Sequence, residues 1–338
     1  MISADHTRAR ALGAFYGLAL GDALGMPTQS LSREQVRQRF GRITGLQAAG
    51  AEQPIAPNMP AGAVTDDTEQ AILVAELLVA GHGHIAPSDL AQHLIDWEAA
   101  MRAKGSQDLL GPSTKRAIEL ILGGASPDEA GRYGTTNGAA MRITPVGIAA
   151  DIADPRRFME QVVQACQVTH NTGLGIASAA AVAAVVSAGI NGDDLKAALE
   201  QGIEAAQWGQ GRGHWVAGGN IAARIGWSRL LCEGCDSARL PDLIYDVIGT
   251  SVASQESVVA AFALARTVAN GQLEPYAALC MAASLGGDTD TIAAMLGAML
   301  GATHGLLAWP VDALEQVQAV NHLDLDPLTE QLLVLRRT

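Results

Sequence analysis

The sequence is poor in aromatic side chains, which make up 4% of its 338 residues against an apolar content of 49%. Its core must then be filled by Ala, Leu, Val and Gly, which favours closely packed helices over a β-sandwich. The same scarcity leaves few platforms on which a nucleobase could stack. Basic residues are also few: 22 Lys and Arg against 35 Asp and Glu give a net charge of −13. That balance argues against nucleic acid or an anionic membrane as a partner through bulk charge. The cysteines build no framework. Cys232 and Cys235 form a lone CxxC, and Cys166 and Cys280 stand apart in apolar stretches. Neither a disulfide network nor a four-ligand zinc site is indicated, and the expectation is reduced thiols in a cytoplasmic protein. The opening MISADHTRAR is polar, unlike a secretory signal. The most apolar runs, 175–190 and 292–309, are rich in Ala and Gly and read as buried core helices rather than bilayer spans.

The shortage of cations is sharpest where acids gather. No Lys or Arg occurs from 43 to 101 or from 267 to 335. Each of these stretches holds acids and hydroxyls at the mouth of an apolar helix: Thr65-Asp66-Asp67-Thr68 ahead of 71–80, and Gly286-Gly287-Asp288-Thr289-Asp290-Thr291 ahead of 292–302. Helix N-termini favour Asp and Thr, which accounts for one acid at each mouth. Two acids leading into a buried helix, with no local cation, need a bound metal ion or a distant Arg. All the side chains involved offer oxygen, the donor that hard divalent cations take.

Residues 8–25 read as a helix carrying Gly13, Gly17, Gly21 and Gly25 at four-residue intervals. Glycine costs about 1 kcal/mol per helix-interior position relative to alanine, so the stripe implies close approach of another helix, the one after Thr291 being a candidate. Asp22 lies beside the stripe. Residues 45–62 read as loop, 89–103 as an amphipathic helix, 209–215 as a mobile loop and 240–249 as a helix. Ser113 and Thr114 read as helix caps, and Glu256 as an acid at a helix start. Strand signals are sparse throughout. The fold class expected is all-α, a compact helical bundle in one domain over 1–338.

In this order, the glycine helix 13–25, Thr65–Thr68, Thr135–Arg142 (TTNGAAMR), Thr169-His170 and Gly286–Thr291 resemble the ADP-ribosylglycohydrolase family over nearly the whole chain. The resemblance implies an orthogonal all-α bundle with a central binuclear centre of two Mg²⁺ (or Mn²⁺), held by Thr65, Asp66, Asp67, Asp288, Asp290 and Thr291. It also implies cleavage of the glycosidic bond of an ADP-ribosylated group, an arginine-type N-glycoside foremost, by water activated at that centre. Asp66, Asp67, Asp288 and Asp290 are then the catalytic candidates, with Asp66 or Asp67 as the base. Gln29, Asn137, Gly138, Arg142 and His170 are the candidate substrate contacts. Arg142 reads equally as a structural salt bridge, and His170 equally as a core histidine. The implied partner is an ADP-ribosylated protein or a small ribosylated molecule. The family usually carries Glu after the glycine helix, where this chain has Met26-Pro27-Thr28-Gln29, and an amide cannot take up a proton as a base. Two other readings stay open: a nucleosidase acting on a small ribosyl compound, and a catalytically silent binding or structural relative.

Overall fold

The computed structural model describes residues 3–106, 110–236 and 238–337. Helices carry the fold, and the described residues form no strand beyond three isolated β-bridges. Six helices frame the acid-bearing region: α1 (Ala4–Gly25), α2 (Asp66–Ala80), α3 (Pro112–Leu122), α4 (Pro155–His170), α5 (Gly173–Asn191) and α6 (Thr289–His304). The all-α expectation is met. A contiguous cluster of buried side chains runs from Ala11 to Leu335 and is built largely from Ala, Leu and Val. Helix α5 is long and apolar enough to cross a membrane, yet its most apolar window is wholly buried inside the fold.

The glycine stripe of α1 meets α6, as its spacing implied. A Cβ on Gly17 would lie 2.3 Å from the Gly297 carbonyl oxygen, and one on Gly21 would lie 2.0 Å from that of Ala293. Reciprocally, a Cβ on Gly301 would lie 1.8 Å from the Gly13 oxygen. Backbone therefore packs on backbone, which only glycine permits at such separations. At the end of the stripe a Cβ on Gly25 would sit 2.4 Å from Asp290 Cα, so the stripe also sets where the α6 acids stand.

Two expectations need correction. The segment 209–215 is tied down rather than loose: His214 N–H donates to Asn171 O at 2.8 Å, and Gly173 N–H donates to His214 O at 3.2 Å. Its glycines suggested mobility, but Gly213 at φ +64° lets the chain lie against Asn171. The helix expected over 240–249 is α-helical only for Leu240–Leu243 and then widens into a π-turn over Ile244–Ile248. All four cysteines are free thiols, as composition suggested.

Candidate active site

The two acidic mouths converge. A cavity of about 250 Å³ is lined by Asp66 from the first and by Asp288, Asp290 and Thr291 from the second. Gln29, Asn137 and Gly138 complete much of its wall, with Thr114 and Thr136 beside them. Asp67 and Thr65 are buried behind that surface.

The first mouth is organised from α1. The Asp22 carboxylate accepts from Thr65 N–H at 2.9 Å and Thr68 N–H at 3.1 Å, and from the Thr65 hydroxyl at 2.7 Å and the Thr68 hydroxyl. It thus caps α2 from another helix, where the α2 N-cap Thr65 makes no side-chain cap bond of its own. Burial pushes Asp22 up to about 6, and the donors from Thr68 and Thr65 hold it there against a larger rise. Asp67 is fully buried. Its Oδ2 accepts from the Thr291 hydroxyl at 3.2 Å, while its Oδ1 finds no donor among the described residues. Burial first, and then the carboxylates of Asp22 and Asp290, hold Asp67 well above the ordinary carboxylate range.

The second mouth rests on a glycine turn. Gly287, at φ +81°, donates to Leu31 O at 2.8 Å and accepts from Ser30 N–H at 2.7 Å, and a Cβ there would meet Thr250 O at 2.3 Å. Asp288 N–H then donates to Thr250 O at 2.7 Å, which turns the chain into α6. The Thr289 hydroxyl bonds Thr28 Oγ1 at 2.9 Å and Gly25 O at 3.0 Å. Asn137 Nδ2 donates to Asp288 Oδ2 and, at 2.9 Å, to Ser257 Oγ. Burial raises Asp288 to about 6, with the Asn137 donor opposing the rise. Asp290 is held well above its usual range by burial and then by Asp288.

The remaining candidates divide between wall and support. Gln29 is on the wall, 6% exposed, with its Nε2 unpartnered and its backbone oxygen accepting from Gln53 Nε2 at 2.7 Å. Arg142 and His170 are not on the wall; both are fully buried. Arg142 donates to Gln70 and Thr169 rather than to a group on the cavity wall. His170 lies behind the cavity wall, with its ring close to Gly138 and its Nε2 3.0 Å from Thr136 Oγ1. Ser113, expected as a cap, accepts the backbone N–H groups of Thr135 and Thr136 at 3.3 Å each, and Glu256 accepts from Ser251 N–H at 3.0 Å. Sequence reasoning missed the capping role of Asp22, whose only signal was its place beside the glycine stripe. It missed Gln70 altogether, and took in Thr136 only as part of the motif at 135–142 without singling it out.

The donor set suits a hard divalent cation. Its atoms are oxygens, no Lys or Arg forms an ion pair with Asp22, Asp67, Asp288 or Asp290 among the described residues, and Asp67 Oδ1 is a buried acceptor with nothing to accept. A separate group, Asp128, Glu129 and His214, brings possible ligand atoms within 4.8 Å of one another near the surface. Its acids are already engaged by Asn171 and Arg132.

An all-helical scaffold around a cavity lined by carboxylates from two helix starts defines a protein whose oxygen donors suit a metal ion. The chain belongs to the ADP-ribosylglycohydrolase family, whose sequence profile matches residues 3–338, and such proteins are hydrolases of ADP-ribosylated groups. It is 34% identical to the uncharacterized protein YegU of Escherichia coli over 93% of both chains. It is 30% identical to the ADP-ribosyl-[dinitrogen reductase] glycohydrolase of Rhodospirillum rubrum, over 57% of this chain and 62% of that one. Likeness to the ADP-ribosylarginine hydrolase Tri1 of Pseudomonas putida is 26%, over 93% of this chain and 76% of that one. A solved structure of an ADP-ribosylglycohydrolase-related protein complex shares the fold, with a TM-score of 0.67 at 23% identity over 98% of this chain and 99% of that one.

Proposed function

We propose that the protein hydrolyses the N-glycosidic bond between ADP-ribose and an arginine-type group, at a centre of two Mg²⁺ or Mn²⁺ held by Thr65, Asp66, Asp67, Asp288, Asp290 and Thr291. The observation that carries this reading is Asp67 Oδ1, a buried carboxylate oxygen without a donor at the junction of the two acidic mouths. The activities for which the Rhodospirillum and Pseudomonas relatives are named support the choice of bond. Bound divalent ions supply charge neutralisation and polarisation of the oxygens they coordinate.

The chain's own residues supply the rest. Asp66 lines the cavity whereas Asp67 lies behind it, so Asp66 is the better placed of the two to take a proton from water. As the C–N bond breaks, positive charge develops on the ribose ring, and the surrounding carboxylates stabilise it. Water adds its oxygen to the anomeric carbon, and the proton it loses passes through Asp66 to the departing nitrogen. Asn137 holds Asp288 in place through this, and Gln29 offers an amide donor or acceptor to a ribose hydroxyl.

Asp66→Ala and Asp290→Ala should each lower metal-dependent release of ADP-ribose from ADP-ribosyl-arginine by about a hundredfold or more. Full turnover by either variant in excess EDTA would sink the mechanism. A second reading, a nucleosidase for small ribosyl compounds, is favoured by one feature: no aromatic and no basic side chain is among the described lining residues to stack an adenine or meet a diphosphate. A higher kcat/KM on a simple ribosyl nucleoside than on ADP-ribosyl-arginine would select it.

A further inference from the structure

Behind the cavity runs a buried polar arc with Arg142 at its middle and both ends at the wall. On one side Arg142 Nη1 donates to Gln70 Oε1 at 2.7 Å, and Gln70 Nε2 donates to Asp66 Oδ2 at 3.1 Å. On the other, Arg142 Nη2 donates to Thr169 Oγ1 at 2.6 Å, Thr169 Oγ1 lies 2.7 Å from His170 Nδ1, and His170 Nε2 lies 3.0 Å from Thr136 Oγ1. Arg142, Gln70, Thr169 and His170 are all fully buried, and Asp66 and Thr136 line the cavity.

A guanidinium can only donate, and that fixes the sense of every bond along the arc. Burial lowers Arg142 to about 10, so it stays charged at neutral pH. On the first arm its donation commits Gln70 Oε1 as acceptor and so turns the amide nitrogen toward Asp66. On the second arm Thr169 accepts from Arg142, and the acceptor in reach of its own hydroxyl hydrogen is His170 Nδ1. The neutral imidazole then carries its proton on Nε2 and donates it to Thr136. Burial and the Arg142 charge keep His170 well below its usual pKa, consistent with a neutral ring. Thr136 Oγ1, having accepted from His170, has no protein acceptor for its own hydrogen among the described residues, and it faces the cavity.

We propose that Arg142 is a positioning residue that sets hydrogen-bond direction along both arms, so that Thr136 presents its hydroxyl hydrogen to an acceptor oxygen of the ligand. Facing the carboxylates of the cavity, this gives a directed donor whose polarity is set deep in the core. The inference rests on the glycohydrolase reading only for the choice of ADP-ribose as probe.

The first test is independent of any ligand. With ¹⁵N-labelled histidine, NMR should show His170 as the Nε2–H tautomer at neutral pH, and an Nδ1–H tautomer or an imidazolium would overturn the proposal. Thr169→Val cuts the arm while keeping the residue's shape, and it should abolish the preference for Nε2–H; an unchanged tautomer refutes control by Arg142. In the Mg²⁺-loaded protein, calorimetry should find ADP-ribose bound about tenfold more weakly by Thr136→Val and within about twofold of wild type by Thr136→Ser. Equal binding by the valine variant and wild type overturns the proposal. If wild type fails to bind ADP-ribose, the glycohydrolase reading falls, and the two tautomer measurements still decide this one.

Discussion

The two acidic helix mouths share a pattern of acids and hydroxyls, but they are held by different means. The α2 mouth is held by side chains: the Asp22 carboxylate gathers donors from Thr65 and Thr68, and Asn321 Oδ1 accepts from Val64 N–H at 3.0 Å. The α6 mouth is held by backbone contact, through the Gly286-Gly287 turn and the Gly25 approach to Asp290. The first arrangement is electrostatic and adjustable, and the second is steric and rigid. A centre built from one of each has a fixed side at Asp288 and Asp290, and a side at Asp66 and Asp67 that depends on charge.

The largest expected effect tests the steric side. Gly25→Ala places a methyl 2.4 Å from Asp290 Cα and N, against backbone that cannot swing away. It should destabilise the protein by about 3 kcal/mol or more in denaturant unfolding. A loss under about 1 kcal/mol would show that α1 and α6 can part, and that the α6 mouth is no more rigid than its counterpart.

An intermediate effect tests the electrostatic side. Asp22 and Asp288 are raised to about 6, and Asp67 and Asp290 lie well above their usual range. Raised carboxylates stabilise the fold fully below their unfolded pKa of about 4 and lose that contribution as pH climbs through the folded values. In EDTA the protein should therefore melt higher at pH 5 than at pH 7.5, and added Mg²⁺ should restore more stability at the higher pH. Asp67→Asn should raise the melting temperature in EDTA at pH 7.5 by a few degrees and remove most of the Mg²⁺-induced gain. A variant that melts lower in EDTA would mean that Asp67 is answered by a partner inside the protein.

The smallest effect concerns the wall where the mouths meet. Gln29 Nε2 makes no bond among the described residues, so Gln29→Met should change stability by less than about 1 kcal/mol. Any loss should fall on ligand binding, read as a rise in KM. A large loss of stability would instead make Gln29 a structural strut between the two mouths.

Much of this was legible in the sequence because local patterns carried it. The glycine interval on α1, the apolar period of α6 and the paired acids without cations each state a physical requirement that only a few structures satisfy. What stayed illegible depends on distant partners. Arg142 reads the same in sequence whether it faces a phosphate, an acid or, as here, Gln70 and Thr169. Residues 209–215 looked loose because Asn171, which anchors them, lies some forty residues earlier in the chain. Asp22 revealed its capping role only once α1 and the start of α2 were brought together.

The packing of α1 on α6 joins residues 4–25 to residues 289–304. A ribosome releases the first of these segments long before the second, so α1 must wait, with its small apolar face uncovered, until residues 289–304 have been made. The acids at the α6 mouth take their places only when that late segment closes against the earliest one. Assembly of the cavity is thereby coupled to synthesis of residues 289–304, and a product truncated before residue 289 would carry Asp66 and Asp67 without the helix that completes their site.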